Sequence, residues 1–125
     1  MIDKKLAERL IKTYEEAWIK QNIDKILSIF HKDGLYYEGV LKKPFKGHKE
    51  IAHYWKTKVV EEQTNIKFKL LNLYICGNIV IAEWEASFNS NIENARIHVK
   101  EVAILEIKNN KIKSLREYWQ SEKLN

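Results

Sequence analysis

The sequence predicts an α+β fold in which N-terminal helices pack on one face of an antiparallel sheet. Two observations carry that expectation. Apolar residues recur every three or four positions as far as about residue 61, and every second position from Thr64 onward. Helices first and a strand meander afterwards is the order of elements in such a layered fold. At 125 residues the chain is expected to form one domain, 1–125, around one core.

Leu6, Leu10, Tyr14, Ala17 and Trp18 lie along one helical face. Asn22 is a good N-cap for a second short helix, with Asp24 in its positive first turn and Ile23, Ile26, Leu27 and Phe30 on its apolar side. Asp33-Gly34 is expected to end that helix and turn the chain. Leu35 to Glu38 reads as a short strand, because aromatic residues favour a half-buried pleat. A loop then runs from Lys42-Lys43-Pro44 to Gly47. Ile51, Tyr54, Trp55, Lys58 and Val59 restore the helical period, predicting a third helix from about Lys49 to Glu61.

The remainder reads as strands. Ile66, Phe68 and Leu70 alternate with lysines, and Cys76-Gly77-Asn78 marks a turn. Val80, Ala82, Trp84, Ala86 and Phe88 share one face of the next strand, opposite Glu83, Glu85 and Ser87. The segment 89–94 has the composition of a hairpin loop. A long strand from Arg96 to Ile107 and a last one from Lys111 to Trp119 are joined by Asn109-Asn110.

Composition excludes several classes. A single cysteine, Cys76, precludes an internal disulfide. No apolar run approaches the ~18 residues of a membrane span, and the first residues lack the apolar stretch of a signal peptide. A cytoplasmic protein without membrane partners is expected. The net charge of +5 comes mostly from lysines that alternate with acids, and arginine occurs only at positions 9, 96 and 116. Those are solvated lysines rather than a stripe that follows phosphates, so no nucleic-acid partner is expected. The four histidines share no metal-ligand spacing, and there is no glycine-rich phosphate loop. Neither a metal nor a cofactor is expected.

Glu101 is the most informative residue. One face of its strand reads Ile97, Val99, Glu101, Ala103, Leu105, Ile107, which sets one carboxylate among five apolar side chains. A buried, unpaired carboxylate tends to become neutral or to find a partner. Two readings are therefore open: a hydrogen-bond donor or general acid, or a structural acid paired with a basic residue or turned away by a bulge. Glu38, beside Gly39, and Tyr14, on the apolar face of the first helix, are further candidates.

Taken together, Ala17-Trp18, Asn22-Ile23-Asp24, Ile29-Phe30, Asp33-Gly34, Pro44, Gly47, Ile51, Tyr54-Trp55, Lys111-Ile112 and Glu117-Tyr118-Trp119 resemble the nuclear transport factor 2-like superfamily, in its SnoaL-like branch. That resemblance covers nearly the whole chain. It implies a cone, in which a curved sheet wraps the first helix and the open end holds a deep apolar pocket. A more distant resemblance to the ketosteroid isomerases places Tyr14 on their oxyanion-binding tyrosine and Glu38 on their proton-shuttling carboxylate. It places Glu101 on their protonated acid and Trp119 on the pocket wall. Both acids are glutamates where those enzymes carry aspartates.

The resemblance implies catalytic roles for Tyr14, Glu38 and Glu101, on a small apolar molecule. The expected pocket lining adds Trp18, Tyr36, Trp55, Trp84, Phe88, Val99 and Trp119. A binding module without turnover is the alternative. A homodimer through the outer sheet face is also expected, from the resemblance and from Val102 and Ile104 on an otherwise polar strand face.

Overall fold

The computed structural model describes residues 2–124. Asp3 opens α1 (Lys4–Ile19), its side chain accepting from the Leu6 amide at 2.8 Å. Asn22 caps α2 (Ile23–Ser28) in the same way, through the Lys25 amide at 3.0 Å. The strands are β1 (Phe30–Tyr37), β2 (Phe45–Lys46), β3 (Gln63–Cys76), β4 (Ile79–Ser90), β5 (Ala95–Lys108) and β6 (Lys111–Leu124). They form one curved sheet in the order β2-β1-β6-β5-β4-β3. The core fills the space between this sheet and the helices, around Ala7, Leu10, Ile26, Ile51, Leu105 and Leu115. No described helix is long and apolar enough to cross a membrane.

Three local expectations are corrected. The sheet is mixed, because β1 runs parallel to β6 while every other pair is antiparallel. Asp33-Gly34 does not end α2; it lies inside β1, where the pairing with β6 breaks between Phe30 and Leu35. Glycine is needed there because a Cβ would stand 3.0 Å from the His31 carbonyl and 3.2 Å from that of Ile112. The third helix, α3 (Gly47–Trp55), gives way to a π-helical stretch, Lys56–Glu61. Such widened turns often sit where a helix meets a functional site.

Register decides what faces inward. The β4–β5 pairing runs unbroken from Ile79↔Glu106 to Ser90↔Ala95, so a strict two-residue period holds along β5. Asn109 and Asn110 both adopt positive φ, as a two-residue hairpin turn of the right twist requires. Beyond that turn Ile112 pairs with Ile107 and Ser114 with Glu106, leaving Lys113 as an extra, bulged residue. The bulge moves the inward face of β6 from even to odd positions: Leu115, Glu117 and Trp119.

Candidate functional site

The open end of the cone holds a cavity of about 420 Å³. Its walls come from α1 (Tyr14, Trp18), β1 and the residue after it (Tyr36, Glu38), α3 and the π-helical stretch (Tyr54, Trp55, Lys58, Val59), β4, β5 and β6. Tyr14 is the hub of the aromatic wall. Its ring lies 4.9 Å from that of Trp84 and meets the rings of Trp18 and Trp55 edge-on at 6.2 and 6.0 Å.

Two carboxyl groups form the floor. Glu101 and Glu117 are each 7% exposed, and both line the cavity. Ala103 faces Glu117 across the β5–β6 ladder, and Trp119 faces Glu101, so the two acids are diagonal neighbours on one sheet face. Glu117 Oε2 accepts from the hydroxyls of Tyr14 at 2.9 Å and Tyr36 at 3.2 Å. Glu101 Oε2 is buried without a hydrogen-bond partner.

The environments separate the two acids. Burial pushes the Glu101 carboxyl well above the usual range, and the neighbouring charge of Glu117 and a hydrogen bond shared with it add to the rise. Burial also raises Glu117, but hydrogen bonds from Glu101, Tyr14 and Tyr36 favour its charged form. The two carboxyls therefore titrate as one pair, with Glu101 the more strongly raised member. Burial likewise raises the Tyr14, Tyr36 and Tyr54 phenols well above their usual range, with Glu117 the next cause, so all three stay protonated.

At the mouth, Glu38 Oε2 meets Lys42 Nζ at 3.5 Å, and Trp119 Nε1 donates to the Glu38 carbonyl at 3.0 Å. Trp18 Nε1 donates to Gln63 Oε1 at 2.8 Å, which pins α1 to the start of β3. Among the described residues, no group of three histidine, cysteine or acidic side chains is placed to hold a metal ion.

The model of the SnoaL-like domain matches residues 11–115, most of the chain. The protein belongs to the SnoaL-like family. This SnoaL-like protein shares the nuclear transport factor 2-like cone with solved structures of low sequence identity. The epoxide hydrolase/cyclase-like enzyme SalBIII, described as acting in pyran ring formation in the polyether salinomycin, is 18% identical, with a TM-score of 0.82 over 96% of this chain and 95% of that one. An LEH-like epoxide hydrolase of M. tuberculosis is 16% identical, with a TM-score of 0.76 over 93% and 84%. A protein of Catenulispora acidiphila with a ketosteroid isomerase-like fold, in complex with trimethylamine, is 20% identical, with a TM-score of 0.76 over 87% and 83%. No curated protein matches the SnoaL-like chain in sequence.

Of the residues singled out in the sequence, Tyr14, Glu38, Glu101, Trp18, Tyr36, Trp55, Phe88, Val99 and Trp119 all border this one cavity. Trp84 does not. It faces inward as its alternation requires, but at 0% exposure it lies beneath the lining, packed on Tyr14 and Phe68. Period gives the side of a strand and not the depth. Tyr14 borders the cavity, yet its hydroxyl donates to Glu117 rather than standing free for a ligand. Glu117 itself was missed as a floor residue. Counting by twos from Ile112 turns it outward, and only the Lys113 bulge brings it in. The apolar Leu115, two residues before it, was the available signal.

Proposed function

We propose that this SnoaL-like protein binds a small, largely apolar molecule in the cone and moves a proton on it, with Glu101 as the acid. The observation that carries this reading is the floor pair: two buried carboxyls on one sheet face, Glu101 raised furthest by burial and Glu117 accepting from two phenols. A neutral carboxyl can donate to a carbonyl or ring oxygen as negative charge builds there. It needs no reorganisation to do so, because Glu117 and the strand already hold it. Tyr14 and Tyr36 are positioning residues in this scheme, since they fix the charge on Glu117. Glu38, at the mouth, is the base that exchanges a proton with the ligand's carbon, the role its alignment with the ketosteroid isomerases implies.

The test is a turnover screen over enolisable ketones and small epoxides with the wild type, Glu38→Gln and Glu101→Leu. Glu38→Gln should abolish turnover and leave ligand binding largely intact, because an amide keeps shape and polarity but accepts no proton. Glu101→Leu should fold and lose turnover by a factor on the order of 100 or more. Full activity in Glu101→Leu would end the acid assignment. Binding without turnover is the second reading. It is favoured by the Tyr14 hydroxyl being committed to Glu117 and by Glu38 being paired with Lys42.

A further inference from the structure

The charges around the cavity are unevenly compensated. Each carboxylate at the mouth has a basic partner: Glu38 with Lys42 at 3.5 Å, Glu62 with Lys58 at 3.4 Å, Glu93 with Lys123 at 2.7 Å and Glu122 with His98 at 3.0 Å. The floor has none. Lys58 and Lys123 are the only basic side chains among the described lining residues, and both are already engaged at the rim. The pair of Glu101 and Glu117 thus sets two acidic groups at the bottom of the cone with no cation beside them among the described residues. Glu101 Oε2, on a side chain more than nine-tenths buried, has no partner.

Between this floor and the rim the walls are aromatic. Tyr14, Trp18, Tyr36, Tyr54, Trp55 and Trp119 all border the space. A ring face is the negative part of an aromatic side chain and attracts a cation, most strongly where water is excluded. A carboxylate buried in the same low-dielectric space attracts it further. An anionic ligand would meet two acidic groups with no compensating cation there, whereas a cationic one would supply the missing partner. The preference is local, since the protein as a whole carries +5.

We infer that the ligand of this cavity carries a cationic nitrogen, as a small quaternary or protonated tertiary amine enclosed by the aromatic walls over the Glu101–Glu117 floor. The inference rests on the reading of the cone as a small-molecule site and adds the ligand's chemical class.

Choline and 3,3-dimethylbutan-1-ol make the test, because they share shape and hydroxyl and differ in a charged nitrogen against a neutral carbon. Titration calorimetry on the full chain should show choline binding about tenfold tighter or more. The double variant Glu101→Gln/Glu117→Gln, its fold checked by circular dichroism, should lose that preference. If the double variant does not fold, the wild-type comparison decides alone. Equal or tighter binding of the neutral alcohol, or no binding of either, overturns the inference. The former result would leave the cone as a small-molecule site. Failure of the ketone and epoxide screen, by contrast, would remove the proton-transfer chemistry and leave the cation preference standing.

Discussion

Replacing Glu101 by glutamine should flatten the dependence of stability on pH, and the sign follows from where the proton sits. Burial raises the Glu101 carboxyl in the folded chain, with the charge of Glu117 as the next cause. Above the ordinary 4.5 the unfolded chain releases this proton while the folded chain keeps it. The stability contributed by the neutral acid is thus fully present below 4.5 and is lost as pH rises towards the folded value. One proton corresponds to about 1.4 kcal/mol per pH unit across that window. With a urea dependence of about 1–3 kcal/mol per molar, the unfolding midpoint should fall by roughly 0.5–1.4 M per pH unit. Glutamine copies the shape of the neutral acid and has no proton to lose. The Glu101→Gln midpoint should therefore decline less steeply than that of the wild type, and exceed it at pH 8.

His98 has the same sign, because hydrogen bonds it donates to Glu122 and then Glu85 raise it. It is half-buried and present in both proteins, so the difference between the two curves reports Glu101 together with its partner Glu117. Urea melts followed by circular dichroism at pH 5, 6, 7 and 8 are sufficient. Parallel slopes in wild type and variant would refute the argument, because Glu101 would then be ionised in the folded state.

Three further outcomes are expected. Tyr14→Phe removes one of two hydroxyls that donate to the buried Glu117 and should cost about 1–3 kcal/mol in urea unfolding at pH 7. Trp84→Ala should cost about 3–5 kcal/mol in the same measurement, because Trp84 is fully buried core beneath the cavity. Sedimentation at micromolar concentration should give a dimer, with Val102→Lys shifting it towards monomer. The basis is the outer sheet face, where Val102 lies between Glu83 and the exposed Tyr118, and Ile104 follows two residues on.

The legible parts of the molecule were those ruled by local period. The α1 face, the Asn22 cap and the inward row of β5 follow from spacing alone, because β5 pairs with β4 without interruption. Hence Glu101 stood out. What spacing could not give was anything set by a distant strand. The parallel pairing of β1 with β6 joins segments some eighty residues apart and hides the true start of β1 at Phe30. Glu117 was concealed by one bulged residue, and Trp84 by the difference between facing a cavity and lining it. The π-helical end of α3 keeps an apolar residue, Val59, on the inner face, so it looks like ordinary helix in the sequence.

The placement of the tryptophans makes the protein its own optical probe. All four belong to one neighbourhood: Trp18, Trp55 and Trp119 border the cavity, and Trp84 lies under its floor. Intrinsic emission therefore reports on this end of the cone alone. Three indoles sit in dry surroundings that favour short-wavelength emission, while Trp119, 50% exposed at the mouth, supplies the red-shifted part that a collisional quencher such as iodide can reach. A molecule lodged in the opening shields that indole first, so loss of quenching at long wavelength follows occupancy without any label.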